Sequence, residues 1–508
     1  MKRKFLYLAL ITAFLTACST ADRKNILENQ QIVVPDVIES PILFTEEKEI
    51  STEENIEPIN IVNTDVQKES KALAQFVNSK VLEHGNIGVY AVELKSGKVV
   101  DGYREDAALV PASVLKIVTA ATALEVLGAN SVLETKVLYD GTISKEGVLK
   151  GNIYIQGGGD PTLGSDGISI DREAFLRDWV SEVKRAGIKS IDGNIIVLDD
   201  LFGYEGIPGK WLWEDMGTNY GQGTYGISVF DNLYTLYLKA EVTGKKPEII
   251  KTKPEITGLA FDNQGLVTTG GKRELSVRGL PLDNKRRIFG AVPQNKNGVV
   301  IQSDIPDPGL FLGQYFSYHL KKESVDFKGR VTTARLTSQR PKNPKIIAVT
   351  KSPPISEIVK VLLTRSDNHY TEHLFQLIQK TKGVDIEKFW KSKGMDIHSL
   401  ILRDGSGLSR GNVISAKLLT EILAYSESGL QNLLPVAGKD GTVAIFLKNT
   451  PLEGKVKVKS GSMSGIQSYA GYAEKNGKKY AFTIIVNHWN GDRATLRKEM
   501  EKLLNNIL

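Results

Sequence analysis

The hydrophobic pattern changes its period several times along the chain. Between Ser70 and Leu82 the apolar positions Leu73, Phe76, Val77 and Val81 fall near helical spacing. NIGVYAVELKSGKVVDGY then reads as two strands about a Lys95-Ser96-Gly97 turn, which predicts a hairpin. PASVLKIVTAATALEVLG predicts a short lead-in after Pro111 and an apolar helix closed by Gly128. From about residue 136 to 340, short strand-like pieces such as VLKGNIYIQ and SIDGNIIVLDD alternate with glycine-rich turns, and one helix, REAFLRDWVSEVKRAG, interrupts them. From Ile346 the first style returns. Helices around SEIVKVLLTRSDNHYTEHLFQLIQ and SAKLLTEILAYS precede the strands KVKVKSGS, SYAGYAEK and KYAFTIIVNHW, and RATLRKEMEKLLNNI closes the chain as a helix. Matching ends around a strand-rich middle predict one α/β (α+β) domain, residues 69–135 and 341–508, interrupted by a β-rich accessory insertion at 136–340.

The first 68 residues change this picture. Lys2, Arg3 and Lys4 precede an apolar run, Phe5 to Phe14, too short to span a bilayer but laid out as a secretory signal. Leu15-Thr16-Ala17-Cys18 resembles a bacterial lipobox, so residues 1–17 are expected to be a lipoprotein signal peptide and Cys18 to carry lipid. Cys18 is the sole cysteine, so the mature domains are expected to fold without a disulfide. The expected location is the cell envelope: the periplasm, held to a membrane by lipid rather than by a spanning helix. Ser19 stands where an aspartate is associated with inner-membrane retention, which leans toward the outer membrane.

Charge separates the next segment from the body. Between residues 19 and 65 eleven acids face three bases, a net −8, with Pro35, Pro41 and Pro58 scattered among them; residues 18–68 read as an acidic disordered tether. Removing residues 1–17 takes the formal charge from +6 to +3, which leaves +11 on residues 66–508. A basic body attracts an acidic polymer such as carboxylate-bearing cell wall, and is equally an ordinary solvated surface. No basic-aromatic motif points to nucleic acid as a partner.

Candidate chemistry concentrates in SDNHYTEHLF, residues 366–375, where two unrelated active sites overlap. His369, Glu372 and His373 spell H-x-x-E-H, a helix-borne zinc motif that would make the chain a metallopeptidase. Two histidines four apart share a helix face, but no local pattern selects a further ligand. Ser366, Asp367 and Asn368 spell S-D-N, one of three motifs of penicillin-interacting serine enzymes.

The rest of the chain contains the other two motifs. Ser113 and Lys116 form S-x-x-K at the head of the apolar helix, where a three-residue step stacks both side chains on one face. Lys116 can then take the hydroxyl proton if its surroundings lower its pKa. Lys459-Ser460-Gly461-Ser462 lies late in a strand of alternating Lys and Val. In this reading Ser366 relays a proton to the departing amine and Asn368 holds the substrate's peptide group. Lys459 supplies positive field, Ser460 binds a substrate carboxylate, and Gly461 leaves the strand edge open. The N–H of Ser462 joins that of Ser113 as an oxyanion hole. Taken singly, S-x-x-K is usually a polar helix edge, S-D-N a cap or turn, and the lysine strand a guarded sheet edge.

Together, in this order and on these elements, the motifs resemble those of the penicillin-binding D-alanyl-D-alanine carboxypeptidase/endopeptidase family, the low-molecular-mass class C group. The resemblance runs from about residue 70 to the C-terminus. It includes PASVLK, LKGNIYIQGGGDPTL (149–163), RDGSGLSR (403–410), LPVAGKDGT (434–442) and KSGSMSGIQSYAGY (459–472). The 253 residues between Ser113 and Ser366 match the accessory domains this family inserts. Ser460 replaces the family's usual threonine and keeps its hydroxyl. The resemblance implies a β-lactamase-like serine transpeptidase fold without metal or organic cofactor. Ser113 would attack the penultimate D-Ala carbonyl of a peptidoglycan stem peptide, Lys116 would act as base, and Ser366 would pass a proton to the leaving D-Ala. Water would then release the acyl-enzyme. A D-Ala–diaminopimelate cross-bridge is the alternative bond, and β-lactams are the expected acylating inhibitors. Non-catalytic wall-binding scaffold and β-lactamase remain as other readings; no residue stands out to activate a deacylating water. Asp404 is expected to stabilise either the site or a turn. Asp160, after three glycines, is expected to cap a turn.

Overall fold

The computed structural model describes residues 70–508. The signal peptide, Cys18 and the acidic tether lie outside them. Among the described residues no helix is long and apolar enough to cross a membrane.

Both ends of the described chain build one antiparallel five-stranded sheet, ordered Val99–Tyr103, Asn86–Glu93, Lys478–Asn487, Ile466–Lys475, Val456–Met463. Strand alternation divides its side chains between two layers. Val89, Ala91, Phe482, Ile484 and Val486 pack with Leu73, Phe76, Leu496, Met500 and Leu504 from the first and last helices, Lys71–Val77 and Arg493–Ile507. Tyr90, Val92, Ala481 and Ile485 face the other way, onto Lys116–Ala123, Ile355–Arg365, Asn368–Gln376 and Ala416–Tyr425. Polar residues start four of these helices. Ser70, Asp367, Ser415 and Asp492 each accept a backbone N–H of the first turn. The sheet between two helical layers is the α/β penicillin-binding architecture expected from the sequence.

The insertion carries its own core. Five strands, ordered Val331–Thr333, Ile195–Leu198, Ile153–Gln156, Glu134–Tyr139, Lys345–Lys351, form its main sheet, covered by the helices Ala174–Arg185 and Pro308–Lys322. Smaller sheets between residues 233 and 304 add a further lobe. Two expectations shift here. The last strand of the main sheet, Lys345–Lys351, pairs antiparallel with the first, Glu134–Tyr139, so the inserted sheet extends past the expected boundary at 340 and begins just before 136. The segment PGLFLGQYFSYHLKK is a second helix, started by Pro308 and capped by Asp307; its glycines and aromatics had hidden it among the turns.

Candidate active site

The turn that carries Ser113 is held in an uncommon backbone conformation. Ala112 has φ 52° and begins a 3₁₀ turn, Ala112–Leu115, that feeds the Lys116–Ala123 helix. Ser366 also has a positive φ, 59°, and ends the Ile355–Arg365 helix just before Asp367 caps the next one. S-D-N therefore breaks what the sequence suggested as one helical run, and the break aims Ser366 and Asn368 at the same spot. Left-handed non-glycine residues persist where surrounding contacts over-determine them, and such sites are often functional.

Lys116 is wholly buried, and its Nζ has three partners: Ser113 Oγ at 3.0 Å, Asn368 Oδ1 at 2.6 Å and the Ser406 carbonyl at 2.7 Å. Desolvation lowers its pKa to about 8, against the opposing pull of Asp404, Glu372 and Asp367. Lys459, also wholly buried, donates to Ser366 Oγ at 2.8 Å and to the Ser460 carbonyl at 2.7 Å. Burial, then repulsion from Lys116, drives its pKa well below that of a free lysine. Each serine of the two motifs is thus paired with a buried lysine. The hydroxyl of Ser460 meets Thr442 Oγ1 at 2.8 Å, which brings the LPVAGKDGT block to the same strand.

Gly461 has a different reason to be glycine from the open edge inferred above. A Cβ there would stand 2.2 Å from Ser468 Oγ, 2.6 Å from the Pro111 carbonyl and 3.0 Å from Ser113 N. Ser468 Oγ itself donates to the Pro111 carbonyl at 2.5 Å. The missing side chain lets the Ser113 turn lie directly on the strand. Ser462 lines the cleft, its hydroxyl held by Arg493, which also donates to the Met463 carbonyl at 2.8 Å.

The cleft, about 360 Å³, is lined by Ser113, Ser366, Asn368 and Ser462 from the peptidase domain. Its other wall was not found from sequence: Leu212, Glu214, Asp215 and Tyr220 come from the insertion. The Tyr220 carbonyl accepts Asn368 Nδ2 at 2.8 Å, which orients that amide so that its oxygen meets Lys116. Trp211 Nε1 donates to Asp404 at 2.9 Å, and Asp404 also gathers the amides of Gly407 and Ser409 and the side chain of Asn412. Asp404 therefore both shapes its turn and ties it to the insertion. WLWED, aromatics and acids crowded into a glycine-rich loop, was the available signal. Asp160 accepts the N–H and hydroxyl of Thr162, each at 2.7 Å, in the turn expected of it.

The zinc alternative does not survive the geometry. Glu372 spends both carboxylate oxygens on the amides of Gly405 and Ser406. His373 Nε2 meets Ser228 Oγ of the insertion at 2.6 Å, and its Nδ1 meets the His369 carbonyl at 2.8 Å. His369 is buried with neither ring nitrogen hydrogen-bonded. Among the described residues no group of three or more His, Cys, Asp or Glu is arranged to hold a metal ion.

A family model, the D-Ala-D-Ala carboxypeptidase 3 (S13) family, matches residues 69–507. The chain belongs to this family. It is accordingly a serine D-Ala-D-Ala peptidase, as its motifs implied. A D-alanyl-D-alanine carboxypeptidase of an Actinomadura species is 28% identical over 435 residues, covering 81% of this chain and 79% of the relative. The D-alanyl-D-alanine carboxypeptidase DacB of Haemophilus influenzae is 23% identical over 444 residues, covering 83% and 90%. The crystal structure of penicillin binding protein 4 (dacB) from the same organism superposes with a TM-score of 0.73, at 24% identity, covering 85% of this chain and 97% of that one. That likeness extends over the insertion as well as the peptidase domain.

Proposed function

We propose that this S13 peptidase hydrolyses D-Ala-terminated stem peptides and D-Ala cross-bridges of peptidoglycan through an acyl-enzyme on Ser113. The observation that supports this reading is the pair of buried lysines, Lys116 on Ser113 and Lys459 on Ser366, whose serine partners both line one cleft. Lys116, neutral, takes the Ser113 proton as the oxygen attacks the carbonyl of the penultimate D-Ala. The N–H groups of Ser113 and Ser462 receive the oxyanion. Ser366, polarised by Lys459, returns a proton to the leaving amine, and water completes the cycle. Asn368 positions the peptide, and Ser460 with Lys459 receives the terminal carboxylate. A β-lactam presents a similar acyl group to Ser113 and acylates it.

The insertion's wall supports a finer reading. Glu214 and Asp215 face the cleft with Arg410, whose Nη1 also donates to the Ser464 carbonyl at 3.0 Å. Carboxylates and a guanidinium in one cleft suit a stem-peptide side chain that ends in a dipolar ammonium and carboxylate. Asp215→Asn is expected to raise KM roughly tenfold for such peptides, the cost of a charged hydrogen bond, with kcat and penicillin acylation little changed. The assay compares free D-Ala from a pentapeptide with monomer release from a cross-linked dimer. An unchanged KM with both would remove Asp215 from substrate recognition.

The same proposal places the enzyme in the cell envelope, with lipid on Cys18 and the acidic segment as its reach. Fatty-acid labelling in cells is expected to mark the intact chain and to be lost in Cys18→Ser. A label that persists would remove the tether.

A further inference from the structure

H-x-x-E-H has no metal role, yet its glutamate is among the most enclosed charges in the molecule. Glu372 is 1% exposed and lies four residues after Asn368, on the same helix face. One carboxylate oxygen accepts the Gly405 N–H at 3.2 Å and the other the Ser406 N–H at 2.8 Å. The carbonyl of Ser406 is the one that takes Lys116 Nζ at 2.7 Å. The carbonyl of Gly405 takes Thr119 Oγ1 at 2.7 Å, from the helix that carries Lys116. A Cβ on Gly405 would stand 2.5 Å from Phe375 Cβ, so this loop lies tight against the Glu372 helix. The two peptide units are therefore clamped between two helices at the level of the catalytic lysine.

We infer that Glu372 is a positioning residue for the reaction: it holds the Ser406 carbonyl against Lys116 and sets the charge balance in which Lys116 loses its proton. The inference rests on Lys116 acting as the base. Two amides converging on one buried carboxylate are a strong, directional anchor. Removing the anchor frees the carbonyl that fixes the lysine ammonium opposite Ser113. Asn368, one turn earlier, fixes the same ammonium from the other side, so a single helix supplies two of the constraints on Lys116.

The electrostatic half of the inference follows from what surrounds the pair. Lys116 faces Glu372 and Asp367 on the S-D-N helix and its cap, Asp404 on the loop, and Lys459 on the strand. Glu372 faces Asp404 and the amides of Gly405 and Ser406 from the loop and Lys116 from the neighbouring helix, while His373, beside it in sequence, is turned away onto Ser228. Burial, then Asp404, raises the Glu372 carboxyl, while the hydrogen bonds from Ser406 and Gly405 pull it back toward the carboxylate. An ionised Glu372 favours the Lys116 ammonium, and a neutral side chain there favours the free amine.

The test measures the rate constant of penicillin acylation against pH for the wild type, Glu372→Gln and Glu372→Asp, each normalised to the titratable active fraction. That normalisation removes any loss from misfolding. Glu372→Gln deletes the charge, and its acidic limb is expected to move to lower pH by about 1 unit. Its plateau is expected to fall roughly tenfold or more as the carbonyl drifts. Glu372→Asp keeps the charge but is a methylene short of the amides, so its plateau falls and its limb stays. An acidic limb that does not move in Glu372→Gln overturns the electrostatic role, and plateaus equal to wild type in both variants overturn the positioning role. Failure of the underlying reading gives a different result, wild-type enzyme that forms no adduct on Ser113.

Discussion

Replacing Ser113 by alanine is expected to abolish the covalent penicillin adduct and to cut D-Ala release on the order of 10⁴-fold or more. Intact-mass measurement after incubation with a penicillin reads the first effect directly, and peptide mapping of the wild type places the adduct. The fold should not notice the change. Ser113 Oγ is one of three partners of Lys116 Nζ, and the other two, Asn368 Oδ1 at 2.6 Å and the Ser406 carbonyl at 2.7 Å, remain in the variant. The melting temperature should therefore stay close to wild type while chemistry disappears. A chelator should leave wild-type acylation untouched, because Glu372 is committed to the amides of Gly405 and Ser406 and His373 to Ser228. An adduct retained in Ser113→Ala would refute the assignment of the nucleophile.

Lys116→Met should nearly match that loss, by another route. Methionine keeps much of the lysine's length and leaves no charge in the buried site, but it cannot take a proton. General-base catalysis contributes about 10²–10⁴-fold, so acylation should slow by that order while Ser113 remains reactive in principle. The wild-type pH profile gives an independent check. The Lys116 pKa is lowered to about 8, first by desolvation, so below that pH the lysine is mostly ammonium and idle. Acylation by penicillin should rise about tenfold per unit as the pH approaches 8 from below, then level off. A profile flat between pH 6 and 9 would mean that Lys116 is not the titrating base.

The two predictions depend on residues that differ in how readily they can be read. Ser113 and Lys116 were legible because three-residue spacing on a helix fixes their neighbourhood locally. The strands of the five-stranded sheet were legible for the same reason: a period of two acts over a few residues. Lys116 could be suspected of a low pKa from its place in an apolar helix, but the compensating charges of Asp404, Glu372 and Asp367 come from elsewhere in the chain. Gly461 was singled out for an open edge, and the structure gives its glycine a different reason. The sequence pattern suggested an open edge, whereas the clash with Ser468 and the Pro111 carbonyl exists only after three distant segments pack together.

The insertion illustrates the limit most clearly. Its presence was readable from the 253-residue gap and the change of pattern, but its closing strand at Lys345–Lys351 was assigned to the neighbouring domain, because strand pairing across some two hundred residues leaves no local trace. Its contribution to the cleft was likewise invisible. Leu212, Glu214, Asp215 and Tyr220 follow no motif that the chemistry demands, and they reach the site because Trp211 docks on Asp404 and the Tyr220 carbonyl on Asn368.

By itself, the amino-acid order pointed to the family, to Ser113 and Lys116 as candidates for its chemistry and to the elements that carry them, since each of these is written in spacings of a few residues. Only the tertiary structure shows what the H-x-x-E-H side chains contact. S-D-N leads directly into the helix that carries H-x-x-E-H, and no local rule says which side chains will face the cleft. Long-range packing turned His373 onto the insertion and Glu372 onto two buried amides, because a buried charge or ring nitrogen takes whatever partner the fold brings within reach.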